Sequence, residues 1–347
     1  MRRIQIITLS ILFMAVCCLH GWAAKKVNMP ATLIMANGIK RQVVLLEEDA
    51  EKVTVQLSTG KVETYKRNEI QSIEWQLPAS FTQAEENLRG GDYEKAVKQY
   101  DAVIAKESNA WCVEQARLKK MQCCLILGKY KEAAEEYVRF LKADPATDAY
   151  GRIPLPEGKS AENAEAAKYL KALADLAKDD TEKGMELGLA AGALAANKEF
   201  KTAEECVKSM LVISNPKVQG FAKVLYGQIA VEKEDFDGAI KVVTQNLKDI
   251  PDGLLPAAYY WLGRAYLGKD QYEHAAIALL RAPTYMPEAQ EIAADCLYWG
   301  AKTFEKADRM REAARLYADL VEKFPGARHI RESREKLDKL QKIGRGG

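Results

Sequence analysis

The sequence has few of the residues, and none of the short motifs, that commonly form catalytic or metal sites. Three histidines occur in 347 residues, and the motifs H-E-x-x-H, G-x-S-x-G and C-x-x-C are absent. These absences exclude the common zinc-protease, serine-hydrolase and thioredoxin-like classes. One phosphate-loop fragment, Gly158-Lys159-Ser160, has Ile153 where the motif requires glycine. The sequence therefore predicts a protein that is not an enzyme and has no cofactor or metal site.

The chain also lacks an initial apolar run of the roughly 20 residues that span a bilayer. Met1–Arg3 is positively charged, Ile4–Leu19 is largely apolar, and Gly21-Trp22-Ala23 offers small residues at a cleavage site. This order is typical of a secretory signal peptide. We expect export to the periplasm or the cell envelope.

Two alternatives to cleavage after Ala23 remain open. The segment could stay as a membrane anchor, or the protein could be a lipoprotein modified at Cys17 or Cys18. Neither cysteine follows the small residue that lipoprotein sites usually have.

Charge of one sign is not in excess. The formal net charge is +2, and without residues 1–23 the chain has 49 basic and 49 acidic residues. Such a balance does not attract nucleic acid or anionic lipid over long range. The predicted partner is a protein, with no nucleic acid and no membrane span after cleavage, and the oligomeric state stays open.

Cysteine is too scarce and too irregularly placed for a disulfide scaffold. Five cysteines follow residue 23, an odd number without framework spacing: Cys112, Cys123, Cys124, Cys206 and Cys296. We expect them to act as small buried residues in helix packing, although one bridge remains open.

Residues 27–77 have an apolar period of two, which is typical of strands with one buried face. Turn residues occur at Asn37-Gly38, Asp49-Ala50 and Thr59-Gly60. They divide the segment into strands at 31–36, 40–47, 52–58, 61–66 and 70–75. So few strands must curl to bury an apolar face, which predicts a small SH3-like or Sm-like β-barrel. Its segment "EKVTVQLSTGKVETYKRNEIQSIEW" resembles the second half of such barrels.

From Pro78 onward the apolar period becomes helical, and the chain repeats itself at intervals of about 36 residues. A large residue is followed three positions later by alanine at six places: Tyr93 with Ala96, Tyr130 with Ala133, Phe200 with Ala203, Phe236 with Ala239, Tyr272 with Ala275, and Met310 with Ala313. The interval of 70 between Tyr130 and Phe200 is interpreted as two units. Helix pairs of this length bury their apolar faces by stacking on neighbouring pairs.

These positions resemble the tetratricopeptide repeat (TPR) family. The pattern is met best by one unit that contains Tyr259, Leu262, Gly263, Tyr266, Tyr272, Ala275, Leu279, Ala282 and Pro287. The resemblance implies a mainly α protein, a TPR-like superhelix preceded by the β-barrel. Its units cover residues 79–145 and 161–327, and a capping helix with a tail covers 328–347. The last unit is similar to the end of envelope TPR proteins that assemble outer-membrane or Tol machinery.

The pattern is interrupted at residues 146–160, which are rich in proline and glycine where a first helix is expected. Residues 161–178 have a helical pattern without the large residue. We therefore expect a loop or linker at 146–160. The histidines His274 and His329 are expected on charged helix surfaces.

In TPR arrays the first helices line a concave groove, and the resemblance places particular residues on it. Its exposed positions are expected to include Gln122, Gln228, Tyr260, Arg264, Tyr298 and Lys302. Two tyrosines beside two basic side chains could bind an extended or helical peptide that has a carboxylate.

The resulting hypothesis is a non-enzymatic scaffold or adaptor of the periplasm or cell envelope that binds a protein partner through the groove. An alternative is a ligand-binding accessory factor, for carbohydrate or an enzyme complex, in which the β-domain binds and the helices oligomerise. For the six residues, a further alternative is an ordinary solvated groove in a protein that binds its partner elsewhere or through the edges of the groove.

Overall fold

The computed structural model describes residues 25–49, 51–143, 152–285 and 290–345. The chain divides into two compact units between Gln76 and Leu77. The predicted signal segment 1–23 lies outside the described residues, as do Ala50, Pro145, Pro287 and part of the predicted loop 146–160. Within the described ranges, no helix is long and apolar enough to cross a membrane.

The first unit is one antiparallel sheet of five strands in the order β4-β3-β2-β1-β5. Its strands are β1 Lys25–Met35, β2 Lys40–Glu48, β3 Lys52–Leu57, β4 Val62–Lys66 and β5 Ile70–Trp75. The five predicted strands are present, and β1 begins earlier than expected because Lys25 and Lys26 pair with the end of β2. Closure of this sheet into a barrel stays a prediction.

Alternation and turn chemistry explain the sheet. Leu33, Leu45 and Val53 are fully buried on one face. Gly38 and Gly60 both have φ of +82° at the tips of their hairpins, a conformation in which glycine avoids the steric penalty of a side chain.

The second unit consists of helices joined by short turns. They are α1 Ala79–Gly90, α2 Tyr93–Lys106, α3 Ala110–Ile126, α4 Tyr130–Ala143, α5 Ala161–Leu176, α6 Asp180–Ala196, α7 Phe200–Leu211, α8 Pro216–Glu232, α9 Phe236–Asn246, α10 Leu255–Gly268, α11 Tyr272–Tyr285, α12 Gln290–Lys306, α13 Met310–Lys323 and α14 Ile330–Arg345. Consecutive helices pack side by side, so the unit is a helical repeat array.

The six repeated positions have one structural meaning. Each large residue is the first residue of a second helix: α2, α4, α7, α9, α11 or α13. The alanine three residues later is 0% exposed in all six. Two residues before each large residue the backbone turns left-handed, at Gly91, Gly128, Lys198, Glu234, Asp270 and Asp308. A left-handed residue ends the first helix, and a small alanine lets the second helix approach it.

The interval of 70 residues contains two units, and in the described part of one of them α5 has no first helix before it. Residues 153–160, which precede α5, form neither helix nor strand. Proline at 154 and 156 prevents the segment from forming the missing first helix.

The two ends of the helical unit contact each other. The side-chain amide of Gln122 in α3 donates to the carbonyl of Gly326, before α14, at 3.0 Å. An added Cβ at Gly326 would lie 2.9 Å from the Leu88 side chain of α1. The turn between α13 and α14 therefore packs against α1 and α3, and the array encloses an inner face.

The cysteines of the helical unit are free and buried. Cys112, Cys123, Cys124, Cys206 and Cys296 all have this environment. Burial raises the pKa of the Cys123 and Cys124 thiols to about 12. Their packing role agrees with the expectation from the sequence.

Candidate functional site

The segment that replaces the missing helix lies on the inner face. We call residues 152–157 the insert segment. Ile153 is 2% exposed and Leu155 is 5% exposed. Pro154 and Pro156 are also buried. Arg328 Nη1 donates a hydrogen bond to the carbonyl of Leu155 at 2.8 Å. The array thus holds one of its own extended segments by both its side chains and its backbone.

Glu157 ends the insert segment with a carboxylate that is surrounded by hydrogen-bond donors. The Tyr260 hydroxyl donates to Oε1 at 3.5 Å. His329 Nε2 lies 3.4 Å from Oε2, and Arg328 Nη1 lies 3.9 Å from it. Burial acts to raise the pKa of Glu157, but the charge of Arg328 and the nearby imidazole of His329 outweigh it and hold the pKa well below its usual range. This carboxylate is ionised at neutral pH.

Arg328 is itself fixed by a buried acid. Its Nε donates to Asp295 Oδ1 at 3.0 Å, and its Nη2 donates to Oδ2. The Asp295 side chain is 3% exposed and that of Arg328 is 14% exposed. Burial acts to lower the pKa of Arg328, but Asp295 and Glu157 more than offset it and raise that pKa. The guanidinium is therefore a permanent cation, oriented by Asp295, with Nη1 directed at the insert segment.

His329 and Tyr298 form the neighbouring wall. Their rings stack with centroids 3.8 Å apart and an interplanar angle of 8°. The Tyr298 hydroxyl donates to Glu332 Oε2 at 2.7 Å and accepts from Lys302 Nζ at 3.1 Å. The expectation that His329 lies on a charged helix surface is wrong, because it precedes α14 and turns inward. His274 is exposed, as expected.

The structure brings two of the predicted pairs into direct contact. Arg264 Nη1 donates to the Tyr260 hydroxyl at 2.8 Å, four residues away on α10. The Arg264 guanidinium also lies 3.6 Å from the centroid of the Trp299 ring. The spacing of four residues on one helix face explains both this pair and the pair of Tyr298 with Lys302.

The prediction that the six groove residues are exposed needs correction. Four of them are buried: Gln122, Gln228, Tyr260 and Tyr298. Arg264 and Lys302 are half-buried. Gln228 donates to the carbonyl of Gly192 at 3.2 Å. The physical reason is that contacts within the chain, including the insert segment, cover the inner face. Whether any of the six contacts a partner stays a prediction.

Sequence reasoning missed the residues around the carboxylate, namely Glu157, Asp295, Arg328 and His329. Only Asp295 could have been identified from the sequence, because an acid in the middle of an apolar helix stretch requires a cationic partner when it is buried. We call Tyr260, Arg264, Asp295, Tyr298, Arg328 and His329 the inner-face cluster.

A cavity of about 300 Å³ adjoins the cluster. Leu155, Pro156 and Glu157 of the insert segment line one side of it. Arg328 and His329 line another, and further walls come from α3, α4 and α5. The insert segment therefore does not fill the space available to it.

Glu157, Asp295 and His329 have ligand-type atoms within 4.8 Å of one another. Such a set could hold a metal ion, but Arg328 already binds both oxygens of Asp295. A cation would have to displace this guanidinium from a buried position. The donor set therefore fits an ion-pair network better than a metal centre.

Three solved structures are similar to part of the chain. A tetratricopeptide repeat protein from Parabacteroides merdae is 12% identical with a TM-score of 0.38, and the match covers 76% of this chain and 97% of that one. PilW, a widely conserved type IV pilus biogenesis factor, is 19% identical with a TM-score of 0.30, covering 76% and 96%. Yeast Tom70 is 15% identical with a TM-score of 0.37, covering 77% of this chain and 61% of Tom70. No protein-family model and no curated protein matches the sequence.

Proposed function

We propose that this protein is an exported, non-enzymatic TPR scaffold of the periplasm or cell envelope, and that it binds a protein partner through the inner face of its array. One observation carries the proposal. The inner face holds an extended peptide segment by a backbone carbonyl and a carboxylate, which are the groups that any extended protein segment with an acid offers.

Membership of the TPR family is supported by the recurrence of one hairpin geometry. Six second helices begin at the same repeat position, each after a left-handed residue, and each has a fully buried alanine in its first turn. Chance agreement at three levels of structure in six units is improbable.

For the β-unit we propose an SH3-like barrel that positions the array. The support is its strand order, in which β5 returns to pair with β1 while β2, β3 and β4 follow in sequence. A 3-10 turn at Arg67–Glu69 leads into β5. Export is supported by the charged, apolar and small-residue order of the first 23 residues.

Affinity capture from envelope extracts of the source cells tests the proposal. The bait is the tagged full chain, and its variant has Arg264→Gln and Lys302→Gln, which remove two half-buried cations from the inner face. A matched control with Lys201→Gln and Lys208→Gln removes the same charge from exposed positions of α7. We expect a specific protein that the native chain and the control retain and the inner-face variant loses. Capture of the same protein by all three, or of none by the native chain, contradicts the proposal.

A further inference from the structure

We propose that the inner face is an acceptor site for an extended peptide of the form apolar-Pro-apolar-Pro-acidic, and that the insert segment is its intramolecular occupant. A partner of this chemistry binds only when residues 152–157 leave the site. The inference rests on the proposed function, because it names the kind of segment that the inner face binds.

The conformation of the occupant favours binding. Ile153 and Leu155 each precede a proline, which favours extended backbone at both positions. Pro154 and Pro156 have fixed φ and no N–H group, so docking loses little backbone entropy and leaves two fewer donors to satisfy. The two apolar side chains are buried. A peptide of the same pattern in another protein would have the same advantages.

The acceptor groups are held in place independently of the occupant. Asp295 binds the Nε and Nη2 side of Arg328, and Nη1 is left to bond the Leu155 carbonyl and to lie near Glu157. Tyr298 holds the His329 ring by stacking. When the insert segment leaves, a cation and an imidazole therefore remain oriented toward the same place. A carboxylate after two apolar residues is the group that they suit.

The occupant is exchangeable. The Glu157 side chain is still 32% exposed, so solvent reaches the carboxylate. The cavity of about 300 Å³ beside Leu155 and Pro156 shows that the segment fits its site incompletely. A peptide with larger apolar residues at these places would bury more surface than the insert segment does.

Because the insert segment is joined to the array, it competes strongly with a free peptide for the inner face. A segment joined to its own site acts at an effective concentration of about 1 mM or more, so it opposes a free peptide of similar intrinsic affinity. The native chain should then bind such a peptide at least about 10-fold more weakly than a chain whose insert segment is disabled.

The test is a fluorescence-anisotropy titration of the full chain with a labelled peptide of the sequence RIPLPE, capped at both ends. The disabled variant has Ile153→Ser, Leu155→Ser and Glu157→Gln, and circular dichroism with a thermal melt establishes its folding. We expect it to bind the peptide at least about 10-fold more tightly than the native chain does. A peptide with glutamine for the glutamate should bind it about 10-fold more weakly.

A second variant keeps the test decisive if the triple substitution unfolds the chain. Glu157→Gln alone preserves the apolar contacts and should still increase peptide binding by about 3-fold or more. A folded variant that binds the peptide no better than the native chain overturns the inference. Because this titration needs no envelope partner, that result would leave the capture experiment, and with it the proposed function, standing.

Discussion

Glycine at position 263 should be required by the close approach of α10 to α11. A Cβ added there would lie 2.4 Å from Leu279 Cγ and 3.2 Å from the carbonyl oxygen of Ala275. Leu279 is 0% exposed, and Cγ is a branch point that moves only if the whole side chain moves. Gly263→Ala therefore forces the two helices apart.

The magnitude follows from two opposing effects. Overpacking of a filled core costs about 1 to 3 kcal/mol. Alanine in a helix gains about 1 kcal/mol over glycine. The net expectation for Gly263→Ala is a loss of up to about 2 kcal/mol in the free energy of unfolding.

Gly300→Ala is the matched control, since its Cβ would meet only flexible side-chain ends, Leu316 Cδ1 at 3.1 Å and Leu280 Cδ2 at 3.7 Å. Here the helix preference should prevail, so the change should be neutral or stabilising by up to about 1 kcal/mol. Guanidinium unfolding followed by circular dichroism at 222 nm measures both variants. If Gly263→Ala is as stable as Gly300→Ala, the packing argument is refuted.

Three further predictions concern stability. Burial raises the pKa of Glu186 to about 7, so between about pH 4.5 and 7 the folded chain binds more protons than the unfolded chain, and stability falls as pH rises through this window. Glu186→Gln should therefore stabilise the protein by about 2 kcal/mol at pH 8 and by little at pH 4. Urea unfolding at both pH values measures the difference. Lys198 has φ of +65°, and glycine occupies the equivalent position of another repeat at Gly128. Lys198→Gly should therefore raise the melting temperature by an amount equivalent to about 1 kcal/mol. A lowered melting temperature would contradict this. Arg328→Met leaves Asp295 charged and buried without its partner, so it should cost about 3 to 5 kcal/mol, whereas Arg328→Met with Asp295→Asn should recover part of the loss in the same unfolding assay.

Local patterns in the sequence were sufficient for the elements of the fold. Tyr93 and Phe236 begin second helices, and each was marked in the sequence by an alanine three residues later. Alternation likewise located the strands to within a few residues, apart from the early start of β1. Helix starts and strands depend on residues that are close together in the sequence, so one sequence is enough to predict them.

The site depended on contacts that no local pattern encodes. Tyr260 and Glu157 are 103 residues apart, and Gln122 and Gly326 are 204 residues apart. The repeat correctly assigned Tyr260 to a first helix, but it gave no information on which segment would cover that face. Pro154 and Pro156 marked an interruption without indicating where the interrupted chain would lie.

The central claim, that the insert segment occupies the inner face, can be measured directly by thiol labelling. The five cysteines in the helical unit are buried, so a chain with Cys17→Ser and Cys18→Ser gives a low background. Leu155→Cys would report the buried segment, and Lys159→Cys is an exposed control two residues beyond its end. The account predicts that the cysteine at 155 reacts about 100-fold more slowly than the one at 159, which corresponds to local opening at about 3 kcal/mol. Equal rates at the two positions would show that the segment does not occupy the site.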